Sequence, residues 1–177
     1  MIERIIIAGS GGQGVMLLGK VLAQTAMLEG KQVTWFPAYG PEVRGGTSHC
    51  MVTISDQEIG SPYIALADTL IVLNKPSLER FRGMLKDQGL LILNSSLAKI
   101  DQGAKIKILQ FPFTDMAVKL GNIKVANMIA LGCYAVAKKI IKVKDILKVF
   151  KVVAPPGNPK ILEVNQQALE EGYRLNG

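Results

Sequence analysis

Cysteine is scarce in this chain, with only Cys50 and Cys133 among 177 residues. The two thiols lie far apart in the sequence and form no Cys-x-x-Cys spacing, which excludes a disulfide framework and a four-thiolate zinc or iron–sulfur site. Histidine is scarcer still, because His49 is the sole one. A lone histidine without clustered carboxylates or thiolates predicts no metal site, so any metal cluster is expected on a partner.

Long apolar runs are also missing. No uninterrupted apolar stretch reaches the roughly 18 residues of a spanning helix, and residues 1–4 lead into a strand-like run without a signal-peptide pattern. We therefore expect a cytoplasmic protein with no membrane contact. Aromatic residues make up only 6% of the chain and are not interleaved with the lysines, so nucleic-acid binding is not expected.

Acidic residues are sparse in the second half of the chain. Residues 99–160 hold twelve lysines against three aspartates, so the net charge of +7 is concentrated there. Two interpretations of this positive region remain open. It could attract an anionic cofactor or an acidic protein, or it could be an ordinary solvated surface.

Strand and helix patterns alternate along most of the chain. Residues 5–8 are typical of a strand buried on both faces, residues 15–29 repeat apolar side chains at helical spacing, and residues 32–36 predict a second strand. Right-handed crossover geometry predicts that these two strands pair in parallel. Further strands are predicted at 47–55, 70–73, 90–93 and 105–111, and helices at 74–84 with Asn74 as N-cap, 114–120, 124–140, 144–150 and 160–173.

The order of these elements predicts the fold class. Alternation of strands and helices is typical of an α/β fold in three layers, here Rossmann-like with a mainly parallel sheet. The sequence contains no internal repeat, no low-complexity tract and no clear domain boundary. Residues 1–177 are therefore expected to form a single domain.

A glycine-rich loop follows the first predicted strand. Residues 9–14, Gly-Ser-Gly-Gly-Gln-Gly, match the G-x-G-x-x-G spacing between a strand and a helix. Such glycines let the backbone approach a ligand while the helix amides hold a phosphate, or they only permit tight strand-to-helix packing. A dinucleotide-binding fold also needs a carboxylate at the end of the second strand. None follows that strand before Glu42, which disfavours an NAD-dependent dehydrogenase.

A second motif, residues 39–50, follows the second predicted strand and reads Tyr-Gly-Pro-Glu-Val-Arg-Gly-Gly-Thr-Ser-His-Cys. Its glycines indicate turns, and Glu42 and Arg44 could pair with each other or reach a ligand. His49 and Cys50 are adjacent, but consecutive side chains of a strand point to opposite faces. We therefore expect no catalytic pair here, and no catalytic residue is predicted in this chain.

Together the two motifs resemble the gamma subunits of 2-oxoacid:ferredoxin oxidoreductases. Gly11-Gly12-Gln13-Gly14 after the first strand and Tyr-Gly-Pro-Glu-x-Arg-Gly-Gly after the second carry the resemblance, which covers nearly the whole chain. Relatives acting on pyruvate typically show Phe-Gly-x-Glu-Arg-Arg-Gly-Ala in the second loop. The loop of this chain and the nearby Ile-Gly-Ser-Pro at 59–62 look more like the 2-oxoglutarate branch, and Asn127 with Gly132 is similar to the family's later Asn-x-x-x-x-Gly helix start.

The resemblance implies an enzyme that decarboxylates a 2-oxoacid on thiamine diphosphate, transfers the acyl group to coenzyme A and delivers two electrons through iron–sulfur clusters to ferredoxin. It implies that the thiamine diphosphate and the clusters are held by partner subunits, alpha, beta and a small ferredoxin-like delta. This chain would contribute assembly and contact with coenzyme A, and would be inactive alone. The candidate cofactor contacts are Gly11, Gly12, Gln13, Gly14, Arg44, Gly45, Gly46 and Asn127.

Two groups of alternatives remain. The chain could be the gamma subunit of an enzyme for pyruvate, a branched-chain 2-oxoacid or indolepyruvate, or it could be a stand-alone nucleotide- or coenzyme A-binding module. An obligate subunit is expected to expose a large apolar interface, and to aggregate or form homo-oligomers when purified alone.

Overall fold

The structure of the protein is a computed structural model that describes residues 1–38, 47–100, 105–153 and 159–175. The strands in these ranges are β1 (Ile2–Ser10), β2 (Gln32–Ala38), β3 (Thr47–Ser55), β4 (Ala67–Val72), β5 (Leu85–Asn94) and β6 (Lys107–Phe111). The helices are α1 (Val15–Leu28), α2 (Lys75–Phe81), α3 (Phe113–Lys119), α4 (Ala126–Lys138), α5 (Val143–Val153) and α6 (Pro159–Arg174), with 3-10 turns at Arg82–Met84 and Ile123–Val125. Each strand and α-helix corresponds to a predicted segment, and the helices predicted at 74–84 and 124–140 include residues of the two 3-10 turns.

The strands form one sheet in the order β2-β3-β1-β4-β5-β6. β1, β4, β5 and β6 pair in parallel, whereas β3 runs antiparallel to both β1 and β2. The predicted parallel pairing of β1 with β2 is wrong, because β3 lies between them. From Cys50 to Ser55 β3 is fully buried and needs a neighbour on each side, while β2 is partly exposed and contains Pro37, which lacks an N–H to donate.

Helices cover both faces of the sheet. One apolar core lies under α1, α3, α4, α5 and α6, and a smaller one lies under α2. The side chains of β1 alternate between them, because Ile5 and Ile7 enter the larger core whereas Ile6 and Ala8 enter the smaller one. The prediction of a three-layer α/β fold with a mainly parallel sheet is confirmed.

Asn74 caps α2 as predicted. Its Oδ1 accepts a hydrogen bond from the backbone N–H of Ser77 at 3.0 Å, which satisfies one of the N–H groups that have no partner within the helix. The cap fixes where the chain turns after β4, and it sends α2 across the face of the sheet opposite to α1.

The C-terminal helix α6 is held against α4 by two glycines. A Cβ at Gly132 of α4 would overlap the carbonyl oxygen of Leu169, and a Cβ at Gly172 of α6 would overlap that of Ile129. The two helix backbones therefore touch directly at these positions. Any side chain larger than hydrogen at either glycine would force the helices apart.

We expect Gly172→Ala to lower the free energy of unfolding by about 1–3 kcal/mol, because the new methyl group overlaps the Ile129 carbonyl. The higher helix propensity of alanine opposes this loss only partly. Urea unfolding followed by circular dichroism measures the change. Gly83→Ala is the matched control, since nothing lies within 4 Å of a Cβ at that position. Equal stability of the two variants would contradict the direct backbone contact.

Candidate functional site

The carboxyl ends of β1 and β4 form a crevice at one edge of the sheet. The two strands pair in parallel, but the chain leaves β1 toward α1 on one face and leaves β4 toward α2 on the other. Ligands of open α/β sheets bind where the direction of connection reverses in this way. The glycine loop lies at this crevice because it joins β1 to α1.

The glycines of this loop divide into two groups. Gly14 has a left-handed backbone conformation (φ 72°), and a Cβ there would overlap the side-chain amide of Asn127. Gly11 and Gly12 have nothing within 4 Å of a Cβ position, so they face open space. Gly14 therefore permits close packing, whereas Gly11 and Gly12 leave room at the crevice. Both interpretations of the glycine motif therefore apply, with tight packing at Gly14 and room for a ligand at Gly11 and Gly12.

Gln13 holds the loop in shape. Its Oε1 accepts hydrogen bonds from the backbone N–H and the hydroxyl of Ser10, at 2.7 and 3.1 Å. Its Nε2 donates to the carbonyl oxygen of Leu73, directly after β4, at 3.2 Å. One side chain thus ties the ends of the two strands that border the crevice. The contact of Gln13 with a cofactor stays a prediction.

Asn127 joins α4 to the glycine loop. This residue is only 1% exposed, and its Nδ2 donates to the carbonyl oxygen of Gly14 at 3.1 Å. Its Oδ1 is buried and has no hydrogen-bond partner in the described part of the chain. An unsatisfied buried acceptor costs about 1–3 kcal/mol, so a donor that reached this enclosed oxygen would be stabilised there. Gly14 and Asn127, two of the predicted site residues, are therefore in direct contact.

A cavity of about 210 Å³ opens beside Gly12 and Gln13. Its walls are mainly apolar, with Ile123 on one side, and Lys124 contributes a cation. Apolar walls with a few polar groups are typical of small-molecule sites. The cavity extends the crevice from the glycine loop toward the starts of α3 and α4.

Sequence interpretation missed several residues of this cavity. Asn94 ends β5, and its Nδ2 donates to the carbonyl oxygen of Leu73 at 3.1 Å and to the Thr114 hydroxyl at 2.8 Å. A polar residue directly after a buried parallel strand is a signal that could have identified Asn94. Nothing in the sequence connects Lys124 with a loop more than a hundred positions earlier.

Arg44, Gly45 and Gly46 lie outside the described residues, so their contact with a ligand stays a prediction. The described residues on either side of the segment are Ala38, at the end of β2, and Thr47, at the start of β3. Thr47 pairs with Ser10, the last residue of β1. The segment therefore starts and ends at the edge of the sheet that carries the glycine loop.

His49 and Cys50 point to opposite faces of β3, as predicted. The His49 ring lies 4.7 Å from the Phe81 ring of α2, whereas the Cys50 thiol donates to the carbonyl oxygen of Val15 at 3.6 Å under α1. Burial raises the pKa of the Cys50 thiol to about 12, so the thiol is protonated at neutral pH. Burial and, to a lesser extent, the charge of Arg80 lower the pKa of His49. The two side chains cannot exchange a proton directly.

Other site types are missing from the described ranges. No group of three or more His, Cys, Asp or Glu side chains is placed to hold a metal ion among these residues. None of the described helices combines the length and the apolar character needed to cross a bilayer.

Sequence comparison identifies the family. Residues 4–175 match the family described as pyruvate ferredoxin/flavodoxin oxidoreductase. The chain belongs to this family. Over 170 residues it is 39% identical to ketoisovalerate oxidoreductase subunit VorA of Methanothermobacter thermautotrophicus, with 96% of this chain but only 35% of that relative covered. It is 35% identical to 2-oxoglutarate synthase subunit KorC of the same organism, over 98% of this chain and 94% of the relative.

Solved structures of the same family have the same fold. The gamma subunit of keto/oxoacid ferredoxin oxidoreductase from Geobacter sulfurreducens is 27% identical, with a TM-score of 0.84 and 98% of each chain covered. The 2-oxoglutarate:ferredoxin oxidoreductase from Magnetococcus marinus, solved with 2-oxoglutarate, coenzyme A and succinyl-CoA, has a TM-score of 0.89 at 20% identity. That match covers 99% of this chain and 31% of the larger one. The predicted resemblance to gamma subunits of this family is confirmed.

Gly14→Ala should lower the free energy of unfolding by about 1–3 kcal/mol. An alanine there must adopt a left-handed conformation and displace the Asn127 side chain. Gly11→Ala is the matched control within the same loop, because a methyl group at that position has no neighbour. Urea unfolding of both variants measures the difference, and an equal loss in both would show that Gly14 has no special packing role.

The imidazole of His49 should titrate below its ordinary pKa of 6.5 in the folded protein. Because the folded value is the lower one, the unfolded state binds more protons between the two values. The contribution of His49 to stability is thus complete above pH 6.5 and declines as the pH falls through the folded pKa. NMR titration of this single histidine measures the midpoint. Arg80→Met should raise it only partly, since burial is the larger cause, and a wild-type midpoint at or above 6.5 would contradict the expectation.

Proposed function

We propose that this chain is the gamma subunit of a multisubunit 2-oxoglutarate:ferredoxin oxidoreductase, and that residues 1–177 act in it as one domain. The enzyme would convert a 2-oxoacid, coenzyme A and oxidised ferredoxin into an acyl-CoA, carbon dioxide and reduced ferredoxin. The observation that carries the proposal is the crevice at β1 and β4 in a chain of this family, whose glycine loop has open positions at Gly11 and Gly12 and contacts Asn127 at Gly14.

The crevice fits coenzyme A chemically. The first turn of α1 presents backbone N–H groups and the positive end of its dipole, which suit phosphate oxygens. Asn127 Oδ1 can only accept, so it suits an amide N–H or a hydroxyl, and the pantetheine arm of coenzyme A carries both. One ligand with phosphates and hydrogen-bond donors therefore matches both groups. NAD is disfavoured, because β2 does not adjoin β1 and ends without a carboxylate.

The chain's own residues would bind and orient, and none would react. When bound, coenzyme A supplies the thiol that accepts the acyl group. Gly11 and Gly12 would let the ligand approach the backbone, and Gln13 would hold the loop in shape. The cavity lined by Lys124 would exclude water from one side of the ligand. Arg44, Gly45 and Gly46 would complete the contact from the neighbouring connection. Thiamine diphosphate and the iron–sulfur clusters would be held by the partners.

An exposed apolar surface supports a role as a subunit. A groove of about 540 Å³ lies between α1 and α5, and Met27, Leu28 and Val152 along it are 61%, 56% and 84% exposed. Large apolar side chains gathered at one surface usually mark an interaction site. We assign this groove to a partner subunit of the same enzyme, whose apolar side chains would cover it.

We choose 2-oxoglutarate as the substrate on two grounds. Among relatives of similar length, a 2-oxoglutarate synthase subunit is 35% identical and a pyruvate synthase subunit 30% identical, and the second loop resembles the 2-oxoglutarate branch. A branched-chain 2-oxoacid is the second candidate, because the VorA subunit shows higher identity. That relative is about three times as long as this chain, however, so its name describes a larger protein.

We expect the purified chain to be inactive and to form aggregates or homo-oligomers. Mixed with the alpha, beta and delta subunits of the proposed enzyme, it should restore coenzyme A-dependent ferredoxin reduction, with the highest kcat/KM for 2-oxoglutarate. Pyruvate, ketoisovalerate and indolepyruvate serve as competing substrates in the same assay. A stable monomer that leaves the activity of the other subunits unchanged would instead favour a stand-alone coenzyme A-binding module.

The same assay tests the contact with coenzyme A. Arg44→Ala should raise the KM for coenzyme A about tenfold or more without changing the KM for the 2-oxoacid, since it removes a charged donor. Arg174→Ala is the matched control, because this exposed arginine of α6 pairs only with Glu170 and Glu171 within the described residues. Unchanged KM values in the Arg44 variant would remove Arg44 from the site.

A further inference from the structure

Arg80 reaches the crevice from the face opposite to the glycine loop. It lies in α2, and its guanidinium donates a hydrogen bond to the hydroxyl of Thr47. Thr47 is the first residue of β3 and pairs with Ser10, the residue that leads into the glycines. Neighbouring strands lie about 5 Å apart. The guanidinium is therefore held one strand away from the start of the glycine loop.

The positive charge of Arg80 is not matched by a carboxylate in the described part of the chain. Its recorded contacts are neutral, namely the Thr47 hydroxyl and the Phe81 ring, whose centroid lies 5.2 Å from the guanidinium carbon. In contrast, Arg4 pairs with Asp68, and Arg174 pairs with Glu170 and Glu171. Among the described residues Arg80 is thus a positioned cation without a carboxylate neighbour.

The surroundings of Arg80 favour an anionic ligand over a structural ion pair. The hydroxyl of Thr47 and the face of Phe81 restrict the guanidinium, which reduces the entropy lost when a ligand binds. A planar guanidinium held in this way matches two oxygens of a phosphate group.

We propose that Arg80 binds a phosphate group of coenzyme A, so that the coenzyme is held between the glycine loop on the α1 side and Arg80 on the α2 side. This inference rests on the proposed function, because it requires coenzyme A in the crevice between β1 and β4. It adds a residue that neither sequence motif contains. It also assigns to the α2 face a role in binding.

Calorimetric titration of the assembled complex tests this assignment. The ligands are coenzyme A, 3′-dephospho-coenzyme A and pantetheine, and the variants are Arg80→Ala, Arg80→Lys and Arg82→Ala. Arg82 is the matched control, because it is an exposed arginine two positions later that lines a different cavity, with Asp87 and Lys105. Thermal unfolding checks that the variants fold, which is expected because Arg80 is exposed.

Arg80→Ala should weaken binding of coenzyme A about tenfold or more, while pantetheine binds equally well to variant and wild type. The affinity of Arg80→Lys for coenzyme A should lie between those of wild type and Arg80→Ala, because lysine retains the charge but loses the planar guanidinium. In Arg80→Ala, an equal loss of affinity for coenzyme A and 3′-dephospho-coenzyme A would assign the contact to the diphosphate. A loss of affinity for coenzyme A alone would assign the contact to the 3′-phosphate. Unchanged affinity in Arg80→Ala, or an equal loss for pantetheine, would overturn the assignment of Arg80 alone. Failure of the wild-type complex to bind coenzyme A through this chain would overturn the proposed coenzyme A contact together with it.

Discussion

The position of β3, antiparallel and between β1 and β2, is the constraint on which the candidate site depends. Its register places Thr47 opposite Ser10, so the connection after β2 returns to the sheet beside the glycine loop. β1 itself is paired along both edges and fully buried at Ile5, Ile6 and Ile7. The edge of the sheet that carries the crevice is therefore set by a strand that is deeply buried and paired on both sides.

The side-chain amides of Gln13 and Asn127 hold the glycine loop against this core. Gln13 connects the end of β1 to the end of β4, and Asn127 connects the start of α1 to the start of α4. The absence of a Cβ at Gly14 lets Asn127 come this close. The same arrangement leaves Gly11 and Gly12 open and Asn127 Oδ1 unsatisfied. Packing is thus carried by Gly14, whereas Gly11 and Gly12 are the positions left open for the proposed ligand.

The chemistry of the described residues is that of a binding and assembly subunit. His49 and Cys50 are adjacent in sequence but face different cores, and the raised pKa of Cys50 keeps its thiol protonated. The groups proposed to face the ligand are backbone amides, an amide oxygen, and the cations Arg80 and Lys124, which are suited to bind and orient a ligand and not to transfer electrons. The apolar groove between α1 and α5 adds a surface that a partner would cover. These features agree with a reaction centre located on other subunits.

The sequence by itself determined the elements, because the signals for them are local. Apolar periodicity located the strands and helices, Asn74 marked the start of α2, and the two glycine motifs identified the family. Tertiary structure alone decided which strands are neighbours, because strand pairing depends on the burial of whole strands and not on their order in the chain. For this reason the predicted pairing of β1 with β2 was wrong. It also brought Asn94, Lys124 and Arg80 to the crevice, because contacts between residues distant in sequence leave no local pattern. The motifs indicated where a ligand would bind, and only the packing of the chain determined which side chains surround it.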